Sequence, residues 1–229
     1  EKLATVLAVP EFTPGSFVLM ATRKGLVKKT DIMAYSRPRA GGIIAINLLE
    51  GDELIAARIS DGTMNVFLGS AEGKAIRFHE SDVRPSGRAA SGVRGMKFAE
   101  GDRLVGMEVL SYGQTLFAVT ENGFGKRTSI DEYPVHKRGG KGVIAIKASP
   151  RNGKVVAILV VDEEHDVMLM TSIGKVIRTR IKEISVISRN TQGVKLIGVD
   201  AGERVVGAAR LAEKDEDDKP IDEGEDHAG

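Results

Sequence analysis

The 229-residue sequence is 41% hydrophobic and 28% charged, an ordinary globular composition with enough chain for one large core or two small ones. It has no cysteine, which excludes disulfide frameworks and thiolate metal sites and predicts a reducing cytoplasm as its home. No apolar run reaches the ~18 residues of a membrane span, and residues 1–6 lack the basic start and apolar stretch of a signal peptide.

The net charge of +1 hides a division. Residues 213–229 carry nine acids and two lysines, a charge of −7, which leaves 31 basic and 23 acidic residues, +8, in 1–212. The predicted organisation is therefore a basic domain over 1–212 and an acidic tail over 213–229, too polar to bury a core and order itself.

In chain order, "KLATVLAV" from Lys2 matches "RLVGMEVL" from Arg103 and "RVVGAARL" from Arg204, so residues 1–12 read as the last strand of a preceding blade. An apolar strand over 18–22 follows. It meets a glycine turn at Gly25 and leads into a basic strand over 26–30. A polar loop rich in Arg, Pro, Ser and Gly comes next, then an aliphatic strand over 43–48, an acidic glycine turn, and a last aliphatic strand over 54–59. The same series recurs from Val66 ("VFLGSAEGKAIRF"), Leu116 ("LFAVTENGFGKRT") and Val167 ("VMLMTSIGKVIRT"). Turn glycines Gly25, Gly73, Gly123 and Gly174 are spaced 48, 50 and 51; loop glycines Gly42, Gly92, Gly142 and Gly193 are spaced 50, 50 and 51. Independent anchors with one period define a repeat. Its units fall at about 13–60, 61–111, 112–162 and 163–212. No stretch holds a 3.6-residue apolar stripe, so helices should be few. Four short strands per ~50 residues predict an all-β disc of radially arranged blades.

Four residues beyond each turn glycine stands a cation: Lys29, Arg77, Arg127 and Arg178, with Lys28, Lys126 and Arg180 beside them. The long loops add Arg37 and Arg39; Arg84, Arg88 and Arg94; Lys137, Arg138 and Lys141; and Arg189. One reading is a merely solvated strand face. The other is that radial symmetry sets equivalent cations on one rim, an electrostatic track for a polyanion. Aromatic residues are 4% and tryptophan is absent, so there are few platforms on which exposed bases could stack. Duplex DNA held by its phosphates fits better. Neutralising ~8 phosphates gives a salt slope near −7, about four decades of affinity between 50 and 200 mM salt. That is ~6 kcal/mol, comparable to the roughly 1–6 kcal/mol needed to bend 20–30 bp by 40–90°.

"HKRGGKG", residues 136–142, crowds three cations and three glycines together. It reads either as a loop laying amides and charge against phosphates or as a glycine turn whose lysines face water. "GSAEGKA" from Gly69 has the wrong glycine spacing for a phosphate loop and reads as a hairpin turn. His79, His136, His165 and His227 lack ligand spacing, so no metal site is expected.

The strings "FVLMATRKGLVKKT", "TENGFGKRTSIDEYP" and "VIRTRIKEISVISRNTQGVKL" resemble the C-terminal domain family of bacterial DNA gyrase A, over residues 1–212. The resemblance implies a β-pinwheel, a disc of blades with a strand exchanged between neighbours. It further implies that the domain wraps duplex DNA with positive handedness and delivers a segment to the cleavage core. "HKRGGKG" resembles that family's box: Arg138, Gly139, Gly140, Lys141 and Gly142 match, Lys137 keeps the charge, and His136 replaces glutamine. It sits in the third unit, whereas the family's box sits in the first blade, so it is read as a degenerate copy.

The resemblance implies no catalysis and no cofactor in this domain, ATP and magnesium being bound elsewhere in the enzyme. It also implies the N-terminal core of gyrase A and the gyrase B protein as partners, with no membrane. The fragment itself is expected to be monomeric. None of Tyr35, Tyr112 or Tyr133 has the context of the family's cleavage tyrosine. The alternatives are the corresponding domain of topoisomerase IV and a protein-interaction propeller.

Overall fold

A computed structural model describes residues 3–111 and 113–211; the acidic stretch 213–229, His227 and Tyr112 lie outside the described residues. The first unit contributes β1 (Phe17–Thr22), β2 (Leu26–Asp31) and β3 (Leu54–Ser60). The second contributes β4 (Asn65–Ser70), β5 (Lys74–His79), β6 (Val93–Arg94) and β7 (Leu104–Leu110). The third contributes β8 (Thr115–Thr120), β9 (Phe124–Ser129), β10 (Val143–Ile144) and β11 (Val155–Val161). The fourth contributes β12 (Asp166–Thr171), β13 (Val176–Arg180), β14 (Val194–Lys195) and β15 (Val205–Leu211). Helical structure among the described residues is confined to 3-10 turns at Ile32–Tyr35, Glu80–Asp82, Ile130–Glu132 and Ile181–Glu183.

The sheets do not follow the units. The strand orders are β3-β1-β2-β6, β10-β5-β4-β7 and β11-β8-β9-β14, and the last sheet is β13-β12-β15. Each of the first three blades is completed by a two-residue strand from the unit that follows. β6 pairs Val93 with Val27, β10 pairs Val143 with Ala75, and β14 pairs Val194 with Gly125. A strand forms only where a ladder partner exists. Residues 43–48, expected as a strand, therefore form none, since the described residues hold no earlier outer strand for them to complete. Residues 3–9 form no strand either; Leu7 and Val9 instead pack over the outer face of the first blade.

Alternation along each central strand builds the disc. Leu19 and Ala21 point one way, into a core shared with Val66, Leu68, Ile76 and Phe78 of the second blade. Phe67 points the other way and joins Leu116 and Ala118 of the third; Phe117 and Val119 in turn meet Val167 and Leu169 of the fourth. A period of two thus gives every blade two apolar faces. β3, β7, β11 and β15 touch in series and lie at the inner edge. The exchanged strands are outermost.

The exchange demands close backbone approach. Gly142 has φ +69°, and a Cβ there would lie 2.1 Å from the Ala75 carbonyl oxygen. Gly87, with no left-handed φ, has nothing within 4 Å. Gly142→Ala should therefore cost about 2–3 kcal/mol of stability and Gly87→Ala close to none, read as urea unfolding free energies.

Candidate nucleic-acid interface

The strand cations of the first and third blades do not face water. In β2 and β9, Lys28 and Lys126 are 1% exposed and Lys29 and Arg127 are 4% exposed. The next unit's loop runs across each outer strand and closes it: Ser86 N donates to the Lys29 carbonyl at 2.8 Å, His136 N to Arg77 at 2.8 Å, and Ile187 N to Arg127 at 2.9 Å. With backbone laid over them, the side chains must find acceptors inside the fold.

They find them on the following unit's 3-10 turn. Lys29 Nζ pairs with Glu80 Oε2 at 3.2 Å, both side chains buried, and Glu80 also accepts from Ser60 Oγ and the Met64 amide. Arg77, half-buried, donates from Nη1 to the carbonyls of Ile130 and Tyr133 at 3.0 and 3.3 Å. Arg127 Nε donates to the Ile184 carbonyl at 2.6 Å, and its Nη1 lies 3.6 Å from Glu163. In the fourth blade Arg178 pairs with Asp166 of its own sheet at 2.6 Å. The expectation that Lys28, Lys29, Lys126 and Arg127 present charge on a rim is thus corrected: burial and internal acceptors hold these four inside the disc.

Lys28 and Lys126 point to the other side of their strands and staple loops. Lys28 Nζ donates to the carbonyls of Ala45 and Arg88; Lys126 Nζ donates to those of Ser188 and Arg189 and to Thr191 Oγ1. Isoleucines Ile76 and Ile177 hold the corresponding position in the other two blades. Desolvation, with some repulsion from Arg88 and Arg189, lowers both lysines to about 8; Glu132 opposes this at Lys126.

The loops themselves are chained. Arg88 Nη1 donates to the Ile44 carbonyl, Arg138 Nη1 to Arg94 and Arg189 Nη1 to Ile144, each reaching back 44 or 45 residues into the preceding loop. In the box-like loop, Gly139 N donates to the Gly95 carbonyl, Gly140 accepts from Lys97 N, and Arg138 Nε donates to the Asp82 carbonyl. Its glycines serve close packing on the second blade, and Arg138 is a half-buried loop coupler. His136, Lys137 and Lys141 are exposed, with Lys137 3.3 Å from Asp82.

Of the expected rim cations, Arg37, Arg39, Arg84, Arg94, Lys137, Lys141, Arg178 and Arg180 are exposed, and Arg77, Arg88, Arg138 and Arg189 are half-buried. Arg94 stands on an exchanged strand at the outer edge, as does Lys195, which sequence reasoning missed. Exposed Lys97 and Lys147 were missed too; their spacing of fifty was the available signal. Tyr35 donates to the Ala45 carbonyl, while Tyr133 is buried edge-on to Phe67 and raised by burial to about 12. No described helix is long and apolar enough to cross a membrane.

The architecture defines a class: a propeller-like repeat protein whose cations are divided between internal ties and an exposed outer edge. A family model described as DNA gyrase C-terminal domain, beta-propeller, matches residues 16–61, 65–111, 114–162 and 165–212. The chain belongs to that family. It is 47% identical over 219 residues to the DNA gyrase A protein of Salmonella typhimurium, covering 96% of this chain and 25% of the relative. The chain spans about a quarter of the length of such relatives. Among solved structures, the C-terminal domain of DNA topoisomerase IV superposes with TM-score 0.83 at 25% identity, covering 89% of this chain and 64% of that one. The DNA gyrase A C-terminal domain superposes with TM-score 0.80 at 27% identity, covering 89% and 68%.

Because the fold favours neutral Lys28 and Lys126, the unfolded chain binds more protons between pH ~8 and the free lysine value of 10.5. Stability contributed through these groups therefore rises with pH across that window. The urea midpoint of the wild type should climb from pH 8 to 10 relative to a Lys28→Met/Lys126→Met protein. Equal slopes would contradict the burial.

Proposed function

We propose that this domain binds duplex DNA without sequence readout and wraps it with positive handedness around its outer edge. It would thereby present a segment to the cleavage core of a gyrase for ATP-dependent negative supercoiling. The observation that carries the reading is the chained series of loops, each tied to the one before by an arginine–carbonyl bond, with exposed cations on loops and exchanged strands together. Neighbouring loops held in register give phosphates a fixed, repeating set of contacts, which positions a duplex without reading its bases.

The proposed contacts are Arg37, Arg39, Arg84, Arg94, Lys137, Lys141 and Arg180, joined by Lys97, Lys147 and Lys195. The partners would be the N-terminal core of gyrase A and the gyrase B protein, in the bacterial cytoplasm at the nucleoid. Chemistry would reside in those partners, this domain serving as a binding module. Topoisomerase IV shares the architecture, but the sequence matches at 40–47% are to gyrase A proteins.

Replacing Arg39, Arg94 and Lys141 together with Glu should reduce the salt slope of duplex binding by about three and weaken binding at least tenfold at 50 mM salt. Undiminished affinity would favour a protein-interaction propeller instead.

A further inference from the structure

In the first three units the cation four residues past the turn glycine does something its sequence pattern does not announce. Its side chain grips the 3-10 turn of the next unit, and its own carbonyl accepts from that unit's basic loop. One residue therefore fixes the following blade at two points, one in the body of the blade and one at the root of the loop that carries the rim cations.

The partners track the junction. Where the following turn opens with Glu80, the cation is lysine. Where it opens with Ile130 or Ile181, the cation is arginine and uses carbonyls. In the fourth blade, the last described, the arginine pairs within its own sheet. The fit is imperfect: Nε of Arg77 is sealed from solvent without a hydrogen-bond partner, and Nη1 of Arg127, equally sealed, has only the 3.6 Å ion pair with Glu163. A charge drawn into the fold with incomplete pairing is weak evidence for stability and is consistent with a required geometry.

Resting on the wrapping function above, we infer that Lys29, Arg77 and Arg127 are positioning residues: they set the angle of each blade on the next, and through it the handed path of the DNA, without touching DNA. The exposed loop cations supply affinity; the buried ties supply writhe. Lysine at position 77 or 127 would keep the charge but lose the planar fork that reaches the turn carbonyls while the strand stays in register.

Two readouts separate these roles. Affinity is measured on a 20-bp duplex, too short to wrap, and writhe as the linking-number change when a nicked plasmid is resealed with the domain bound. Arg77→Lys and Arg127→Lys should each bind the short duplex within twofold of wild type while trapping at most half its linking-number change. Exchanging the tie at the first junction, Lys29→Arg with Glu80→Ile, installs the chemistry of the other two. It should keep most of the trapped change, whereas Lys29→Met should lose at least half. Thermal unfolding of each variant accompanies the assays, and if an arginine variant does not fold, the exchanged pair against Lys29→Met decides. Parallel loss of affinity and writhe, loss of neither, or an exchanged pair as impaired as Lys29→Met would overturn the inference. A wild-type domain that binds but traps no writhe would overturn the wrapping function itself, and this inference with it.

Discussion

A lysine or arginine taken out of water must be met by acceptors, and in this fold the acceptors lie on the next repeat. That requirement organises the disc. The outer strand of each of the first three blades is completed by a short strand from the following unit, so its two flanks are roofed by a neighbour rather than by solvent. Five cations on these strands are drawn inward. Lys29, Arg77 and Arg127 reach one side to the following 3-10 turn, and Lys28 and Lys126 reach the other to the loops. Blade order, loop position and cation burial are consequences of one exchange.

The period of fifty was legible because glycines recur where left-handed backbone or close approach is required and aliphatics recur where blades meet. Gly92, Gly142 and Gly193 mark the start of the exchanged segment in the last three units, and Gly42 holds the same place in the first. What a single sequence does not carry is the partner of a two-residue strand. Val93–Arg94, Val143–Ile144 and Val194–Lys195 are too short for their periodicity to tell their own blade from the preceding one. The same gap misplaced the cations. "LVKKT" and "FGKRT" read as solvated strands because the roof over them comes from residues about sixty positions ahead. One local signal was available. Lysine replaces arginine at position 29, and glutamate replaces isoleucine at position 80, a paired change between units that marks a contact.

The loops, by contrast, carry many of their cations at the surface. Arg37, Arg39, Arg84, Arg94 and Lys141 are exposed, and the glycines of "HKRGGKG" fold that loop tightly over the second blade. The cations thus divide by depth. Lys29, Arg77 and Arg127 tie blade to blade, Arg88, Arg138 and Arg189 tie loop to loop, and the outermost cations face solvent. In the proposed function, such a division would separate how tightly DNA is held from the path it follows. A basic surface alone, with no internal ties, would leave the two coupled.

The division of lysines by depth is tested most directly by amine acylation at pH 8.5, read by mass spectrometry with and without a long duplex. Their lowered proton affinity would make Lys28 and Lys126 reactive were they reachable, so burial is the sole protection they have. Lys97, Lys141 and Lys147 should be labelled in the free domain and shielded by DNA, while Lys28, Lys29 and Lys126 stay unlabelled in both. Labelling of Lys28, Lys29 or Lys126 in the free domain, lost when DNA is added, would contradict the internal role assigned to them.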